Sequence, residues 1–380
     1  MQIKALDQVQ ILDRATVYHG DTVDLIRGLP SNSIDLTVTS LPFANVYLYS
    51  DSPHDMGNTD DDRHFFEHFD YLIPELFRVT TPGRLAVIHC KDLPLYKGSD
   101  GVAGLRDFPG EIRRRFCGEA IEYLQARLEA FTEAKALIGR DRVEGLDEKI
   151  LEVEDELLEV QRSSWVFHSR VTIWKCPKIE MERTNNHGLL HNQLCKDSSV
   201  SRQGMADYLL VFRKWCDEMD GLNSPKPVTR LNCGGKYRFD STPYVGTELP
   251  ETNPDRDPRG HSIRVWQKYA SPVWFDIKQT NVLKVKKVKS DSEERHMCCL
   301  QLDVIDRCID LWSNPGDVIF DPFSGWGSTG VEALKMGRNY VGCELNPRYF
   351  KQSIAFLEDA ASAHQIKLED QIETELASVA

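Results

Sequence analysis

A glycine-rich turn near the end of the chain has the residue types and spacing of a ligand site. Asp321-Pro-Phe-Ser-Gly-Trp-Gly-Ser-Thr-Gly330 follows a predicted strand and opens a predicted helix. At the carboxyl end of a strand in a parallel sheet, glycines let a ligand come close to the backbone. About twenty residues later the predicted strand NYVGCE ends in Glu344, where a carboxylate can accept both hydroxyls of an adenosine ribose. The pair predicts a nucleoside cofactor, whereas the turn alone would equally suit an ordinary connection between strand and helix.

Two common nucleotide-binding loops do not match this turn. A GxxxxGK[ST] loop needs a lysine to hold phosphates, and none follows here. The dinucleotide spacing GxGxxG is also absent, because Gly325, Gly327 and Gly330 come after an Asp-Pro-Phe start. Neither loop accounts for the turn.

The turn and the segment after it resemble the cofactor site of a known family. DPFSGWGSTG with the later CELNPRYF is similar to the S-adenosylmethionine-binding motif of the amino-group DNA methyltransferases, in which DPFxGxGT precedes an acidic and an aromatic residue. The resemblance implies S-adenosylmethionine as the cofactor. The residues that it places at the cofactor are Asp321, Pro322, Phe323, Ser324, Gly325, Gly327, Ser328, Thr329 and Glu344.

A second motif, Ser40-Leu41-Pro42-Phe43, stands at the end of the predicted strand SIDLTVT. It resembles the catalytic [DNS]PP[YFW] tetrapeptide of the same family, with Leu41 where the family usually has proline. Because Leu41 precedes Pro42, its backbone is still biased to extended dihedrals. The lead-in HGDTVDLIRGLPSNSIDLTVTS resembles the family's GD-x-L-x-LP-x-S-x-D-L segment, which implies that Asp21 lies by the cofactor adenine. Without these partners the tetrapeptide would be an ordinary turn at a strand end.

The chemistry of the tetrapeptide follows from its implied substrate. An exocyclic amine of adenine or cytosine is a poor nucleophile because its lone pair is delocalised into the ring. The Ser40 Oγ and the Leu41 carbonyl can accept the two amine hydrogens and draw the nitrogen toward a tetrahedral state, an effect that grows in the transition state. Phe43 would stack on a base flipped out of the duplex. This scheme requires no titrating base, and Ser40 favours cytosine N4 without excluding adenine N6.

The order of the motifs resembles the permuted arrangement called the beta group, in which a catalytic half, a target-recognition region and a cofactor half follow in sequence. Segments such as DMGN (residues 55–58) and YASPVWFDI resemble phage- and prophage-type members specifically. The resemblance implies a site-specific methyltransferase of double-stranded DNA. His296 could help hold the methionine end of the cofactor, or it could have a capping or structural role at the helix that follows.

The elements that must position these residues alternate between strand and helix. They predict an α/β fold with a doubly wound, mostly parallel sheet of the Rossmann-like methyltransferase type. FFEHFDYLIPELFRVTTPG is predicted as one amphipathic helix closed by Pro82 and Gly83. SSWVFHSRVTIWKCP is predicted as a strand pair and DYLLVFRKW as a central or near-central strand. The expected divisions are a catalytic half over 1–116 and 163–215, a helical hairpin insert over 117–162, an irregular target-recognition region over 216–290, a cofactor half over 291–366 and an acidic tail over 367–380.

The insert over 117–162 has a different apolar pattern from its surroundings. Its first half places Ile121, Leu124, Leu128, Phe131 and Ile138 at near-heptad spacing, and its second half places Leu146, Ile150, Val153, Leu157 and Val160 at steps of four and three. These stripes predict an antiparallel helical hairpin, which is either a solvated arm or the contact surface of a homodimer or another partner. Residues 141–160 carry nine acidic and two basic side chains, so DNA should repel the second helix.

Composition sets the broad class of the chain. With 41% hydrophobic and 28% charged residues, its 380 residues have the balance of a globular protein. No apolar run is long enough to span a bilayer and the start lacks the apolar core of a signal peptide, so a cytoplasmic location is predicted. The ten cysteines lack the spacing of a zinc site, which predicts reduced thiols and no metal.

The net charge of −13 argues at first against a polyanionic partner such as DNA. Much of the acid, however, lies in residues 141–160 and in the tail from Glu369, while a basic run could contact phosphates: Lys284, Lys286, Lys287 and Lys289. Double-stranded DNA is therefore the predicted partner. Two other functions stay open: a cofactor-binding but inactive DNA-binding subunit, and a methyltransferase of RNA or protein.

Overall fold

The strands form a large mixed sheet with the two predicted motifs near its centre. In the computed structural model the residues described are 5–43, 52, 54–59, 61–95, 98, 101–102, 104–137, 145–184, 189–216, 224–228, 256–284 and 299–379. Within these segments no helix is both long enough and apolar enough to cross a membrane.

The strands in chain order are β1 Asp7–Ile11, β2 Ala15–His19, β3 Ile34–Ser40, β4 Thr80–Lys91, β5 Leu93–Leu95, β6 Gly104–Arg106, β7 Trp165–Ile173, β8 Asp207–Lys214, β9 Val273–Trp274, β10 Val318–Asp321 and β11 Asn339–Glu344. The helices are α1 Thr22–Ile26, α2 Asp62–Phe69, α3 Leu72–Val79, α4 Phe108–Cys117, α5 Glu119–Leu137, α6 Leu146–Arg162, α7 Pro177–Thr184, α8 His191–Lys196, α9 Pro258–Tyr269, α10 Leu302–Trp312, α11 Ser328–Lys335 and α12 Pro347–Val379.

The main sheet has the strand order β1-β2-β11-β10-β3-β4-β8-β7-β9, and β5 and β6 pair separately. The central strands from β2 to β4 run parallel. On one side β8 pairs antiparallel with both β4 and β7, and on the other β1 pairs antiparallel with β2. The predicted α/β fold with a mostly parallel sheet is confirmed.

Helices pack on both faces of this sheet, as a doubly wound fold requires. One apolar core contains residues of α1 to α4, such as Leu25, Phe65 and Leu76. The other contains residues of α10 to α12, such as Ile305 and Leu334. The central strands are consequently buried on both sides, and β3 is buried along its length up to the half-buried Ser40.

Two predicted elements have different boundaries in the structure. The predicted single helix is two helices, α2 and α3, because Pro74 is accommodated in the first turn of a helix but would disrupt the interior of a continuous one. Pro82 and Gly83 do not close that helix but belong to β4, which already begins at Thr80. The predicted strand pair is the single strand β7, which lies beside the near-central strand β8.

The insert contains an antiparallel helical hairpin. Ion pairs join Arg127 of α5 to Glu156 of α6 at 3.5 Å, and Lys135 to Asp147 at 2.5 Å, so the two helices run in opposite directions. Leu124 and Val153 are buried. Cys117 ends α4, and α5 starts after Gly118, whose φ of +75° breaks the helix.

The predicted recognition region and tail are more regular than expected where the structure describes them. Residues 256–284 contain α9 and β9, and β9 pairs with β7 at the sheet edge. The acidic tail continues α12, which runs to Val379. His296, Lys286, Lys287 and Lys289 lie outside the described residues.

Candidate active site

The two motifs come together because their strands are neighbours. β10 pairs parallel with β3, with Phe320 opposite Thr37, so both strands deliver their carboxyl ends to the same edge of the sheet. There the Thr39 hydroxyl donates to Asp321 Oδ1 at 2.7 Å. This buried hydrogen bond joins the strand of the tetrapeptide to the start of the glycine-rich turn, across 282 positions of sequence.

A pocket of about 1060 Å³ opens at this edge. Most of the predicted site residues line it: Asp21, Ser40, Leu41, Pro42, Phe43, Asp321, Pro322, Phe323, Ser324, Gly325, Ser328, Thr329 and Glu344. Its lining contains the carboxyl groups of Asp21, Asp55, Asp321 and Glu344 but, among the described residues, no lysine or arginine. Such a wall suits a positively charged ligand better than a phosphate.

The glycine-rich turn is held open by its own backbone geometry. Gly325 has a φ of +53°, and among the described residues a Cβ there would meet only the Phe323 carbonyl oxygen, at 4.0 Å, so this part of the turn leaves room for a ligand. Gly327 is not among the pocket residues. Its φ is +83°, and a Cβ would stand 3.1 Å from Ser353 Cβ, so glycine is needed there for packing against α12.

Glu344 is the last residue of β11, and its carboxyl group holds the glycine-rich turn in place by hydrogen bonds. Its Oε2 accepts from the Gly325 amide and its Oε1 from the Asn346 amide, both at 2.7 Å. Burial raises the pKa of Glu344 to about 7, although these two hydrogen bonds oppose the rise. The carboxyl group is therefore poised to change charge near neutral pH.

Asp321 and Asp21 line the pocket and also form hydrogen bonds that stabilise the local structure. Burial raises the pKa of Asp321 to about 6 against its hydrogen bonds from Thr39, Thr329 and the Phe323 amide. Asp21 caps α1 by accepting from the Val23 amide at 3.0 Å.

The tetrapeptide is fixed by the neighbouring strand. The Leu41 amide donates to the His89 carbonyl of β4 at 3.3 Å, which continues the sheet one residue past Ser40. The Leu41 side chain is 2% exposed and belongs to the apolar core. Proline could not donate this hydrogen bond, so leucine at this position adds a backbone link between the loop and β4.

Sequence reasoning missed a polar chain behind Ser40. The Ser40 Oγ lies 2.9 Å from His89 Nδ1, and His89 Nε2 lies 3.1 Å from Asp207 Oδ2. Lys175 Nζ is 2.5 Å from the same Asp207 oxygen. The partners come from β3, β4, β8 and the segment after β7, so only the strand order of the sheet could have shown that they meet.

Other pocket residues were also missed. His54, Asp55 and Met56 contribute from the segment containing DMGN, whose resemblance to the family was the available signal. Trp326 and Tyr349 line the pocket with ring centres 5.2 Å apart. Both lie within the quoted cofactor motifs, but their conformations could not be read from spacing.

The fold and this site define a Rossmann-like methyltransferase, with a glycine-rich turn and an acidic strand end beside a serine-led tetrapeptide. The family model described as DNA methylase, of the N6 and N4 type, matches residues 34–355. The match covers most of the chain, and the protein belongs to this DNA methylase family.

Individual relatives are similar over very different lengths. Type II methyltransferase M.BglI of Bacillus subtilis is 28% identical over 355 residues, 90% of this chain and 85% of that protein. Type II methyltransferase M1.MboII of Moraxella bovis is 45% identical over 51 residues, 13% of this chain and 20% of that protein. DNA adenine methyltransferase YhdJ of Escherichia coli strain K12 is 37% identical over 71 residues, which is 19% of this chain and 24% of that protein. The chain thus spans only about a quarter or less of the latter two.

Two solved structures match most of the chain at low sequence identity. TTHA0409 of Thermus thermophilus, complexed with S-adenosyl-L-methionine, is 17% identical with a TM-score of 0.49, and the match covers 92% of this chain and 96% of that one. The cytosine-N4-specific PvuII DNA methyltransferase is 14% identical with a TM-score of 0.46, over 90% of this chain and 86% of that one.

Proposed function

We propose that this protein transfers a methyl group from S-adenosylmethionine to an exocyclic amino group of a base in double-stranded DNA, at a specific sequence. The observation that carries the proposal is that the cofactor-type turn and the serine-led tetrapeptide open into the same pocket. The family membership gives the class of reaction, and the pocket gives each motif a part in it.

The residues present fit S-adenosylmethionine. The ligand carries a positively charged sulfur, and the described pocket wall offers carboxyl groups without a lysine or arginine. Glu344 would accept the ribose hydroxyls, Asp21 would lie by the adenine, and the backbone near Gly325 is open to close approach. When bound, the cofactor supplies an activated methyl group.

The tetrapeptide would bind the amine that is methylated. The Ser40 Oγ and the Leu41 carbonyl accept its two hydrogens, which turns the nitrogen lone pair away from the ring and stabilises the transition state more than the ground state. The base must leave the duplex to reach such a pocket, where Phe43 forms part of the wall. Ser40 favours cytosine N4 over adenine N6 as the target.

The order of the motifs supports a beta-group enzyme of phage or prophage type. The catalytic strand β3 precedes the recognition region, and the cofactor strand β10 follows it. The hairpin of α5 and α6 lies outside both motifs and is proposed as a homodimer contact, because large apolar side chains are exposed along it, including Tyr123, Leu137 and Leu151.

Modification-sensitive sequencing of DNA from cells that express the protein tests the proposal. We expect one short sequence to gain N4-methylcytosine or N6-methyladenine, and cells that express Ser40→Ala to lack the mark. Unmodified DNA in cells with abundant, folded wild-type protein would refute a DNA target.

A further inference from the structure

The polar chain behind Ser40 leads from the pocket into the protein interior. Ser40 is half-buried at the pocket wall, whereas His89 and Asp207 are 6% and 8% exposed. Ser40 and His89 are hydrogen-bonded at 2.9 Å, and His89 and Asp207 at 3.1 Å. Lys175 forms an ion pair with Asp207 at the inner end. A histidine between a hydroxyl and a carboxylate can both orient the hydroxyl and take its proton.

The protonation states of these side chains can be argued from Asp207, the innermost of the three. Burial would raise the pKa of Asp207, but the hydrogen bond from His89 and the positively charged ammonium of Lys175 hold it well below its ordinary value. Asp207 is therefore a carboxylate, and His89 Nε2–H donates to it. In a neutral imidazole Nδ1 is then an acceptor, so the Ser40 hydroxyl donates to it. The lone pairs of Ser40 Oγ are left for the amine hydrogens.

We propose that Ser40, His89 and Asp207 form a proton relay that removes the excess proton of the methylated amine, an inference that rests on the proposed function. Methylation of a neutral exocyclic amine gives a cation with one proton more than the neutral product. That proton passes from the nitrogen to Ser40 Oγ while the Ser40 hydroxyl proton passes to His89 Nδ1. The imidazole becomes an imidazolium, and the Asp207 carboxylate balances its charge. His89 thus acts through Ser40, as a positioning residue and the proton acceptor.

The surroundings of His89 suit this role. The charged groups facing it are Asp207 of β8 and, through Asp207, Lys175 after β7. Phe43 meets the His89 ring edge-on at 6.5 Å, and Lys91 Nζ lies 5.5 Å from the centre of the Phe43 ring. The Leu41 amide is bonded to the His89 carbonyl, so the relay and the tetrapeptide are fixed to each other.

A double-mutant cycle distinguishes a proton relay from a hydrogen bond between Ser40 and His89 that is only structural. The rate of methyl transfer in a single turnover is measured for wild type, Ser40→Ala, His89→Gln and the double variant, together with the dissociation constants of cofactor and DNA. General acid–base groups contribute roughly 10²- to 10⁴-fold to a rate. We therefore expect His89→Gln to slow methyl transfer by about 10²-fold when Ser40 is present, and by less than about twofold when Ser40 is already replaced by alanine. The dissociation constants should change little.

His168→Gln is the matched control, because His168 Nδ1 also lies 2.9 Å from a serine hydroxyl, that of Ser169, but outside the pocket. It should leave the rate unchanged. Equal losses from His89→Gln on both backgrounds, or no loss on the wild-type background, would overturn the relay while leaving the proposed function intact. A folded wild type that binds the cofactor but methylates no DNA would instead refute the proposed function and the relay with it.

A measurement without turnover keeps the proposal testable if His89→Gln fails to fold. Nitrogen NMR of the histidine side chains in the wild type should show His89 protonated at Nε2 with Nδ1 as acceptor, and Ser40→Ala should shift the Nδ1 signal. A neutral His89 protonated at Nδ1 would overturn the relay.

Discussion

Leu41 is the residue at which the chain departs from its family, and its contacts explain how the departure is tolerated. Its backbone amide is bonded to the His89 carbonyl, and its side chain fills the apolar core. Leucine therefore donates a hydrogen bond that proline cannot donate, and it also contributes an apolar side chain to the core.

We predict that Leu41→Pro, although it restores the family sequence, harms the protein. The lost hydrogen bond and altered packing should lower the free energy of unfolding by about 1–3 kcal/mol. Misplacement of the Leu41 carbonyl should slow methyl transfer at least about tenfold. Urea unfolding and single-turnover kinetics measure the two effects, and a variant as stable and as fast as wild type would contradict this account of Leu41.

Glu344 should contribute strongly to cofactor affinity. Glu344→Ala would remove the charged hydrogen bonds that we propose Glu344 makes to the ribose, and it releases the Gly325 amide, so binding of S-adenosylmethionine should weaken by about 1–3 kcal/mol. Calorimetry measures the change, with the exposed Glu358→Ala on α12 as a control that preserves affinity. An unchanged dissociation constant for Glu344→Ala would remove this residue from the site.

The same residue predicts a pH dependence of binding. Since the pKa of Glu344 is raised to about 7, lowering the pH from 8 to 6 protonates the acceptor and should weaken cofactor binding by up to about tenfold. The stability of the folded protein depends on pH in the opposite direction. The unfolded chain loses this proton near the ordinary pKa of 4.5, whereas the folded protein keeps it up to about pH 7, so the contribution of Glu344 to the free energy of unfolding falls as the pH rises from about 4.5 to 7. Titration of Glu344→Gln should show a flatter pH profile of binding, and a slope equal to that of wild type would exclude Glu344 as its source.

Sequence reasoning works at the residue scale where partners are neighbours in the chain. The tetrapeptide and the glycine-rich turn could be found because their residues are adjacent, and most of them line the pocket. His89 and Asp207 could not be found, because they lie 118 positions apart in the sequence, near the end of β4 and at the start of β8. Their pairing depends on β8 lying next to β4.

At the scale of elements, the hairpin gives the clearest prediction. Replacing the segment between Cys117 and Trp165 with a short Gly/Ser loop removes both helices but no pocket residue. We expect a lower oligomeric state by light scattering, because the exposed apolar side chains are lost, with methylation retained.

A milder variant controls for the large deletion. Leu137 is 87% exposed, so Leu137→Ser with Leu151→Ser should weaken self-association without disturbing the hairpin core around Val153. If the deletion keeps its oligomeric state but loses cofactor binding or activity, the arm belongs to the catalytic domain and the dimer proposal is wrong.

Long periodic elements were predictable, and short or interrupted ones were not. The apolar stripes of α5 and α6 specify a hairpin because a period sustained over many residues has few other solutions. β1 and β9 are short strands at the sheet edges, where little apolar pattern is needed. The break between α2 and α3 depends on Pro74, whose effect changes with its position in a helix.

For the whole molecule, the sheet brings together residues from both ends of the sequence. β3 and β10 pair directly, although the predicted recognition region lies between them in the chain. Near the amino-terminal ends of these two strands, Lys226 of the same region forms ion pairs with Asp35 at 2.6 Å and with Asp317 at 2.9 Å. The alternation of strands and helices predicted this architecture, but the antiparallel placement of β8 and β7 required the structure.

Methyl transfer by the purified protein tests directly whether the protein methylates an amino group in DNA. Plasmid DNA is incubated with S-adenosylmethionine carrying an isotopic methyl label, and the digested nucleosides are identified by mass spectrometry. We predict labelled N4-methylcytosine or N6-methyladenine, formed at least about 10²-fold more slowly by Ser40→Ala, whose affinity for the cofactor should stay nearly unchanged. Label transferred equally well by Ser40→Ala, or absent from the DNA after incubation with folded protein that binds the cofactor, would contradict the proposed function.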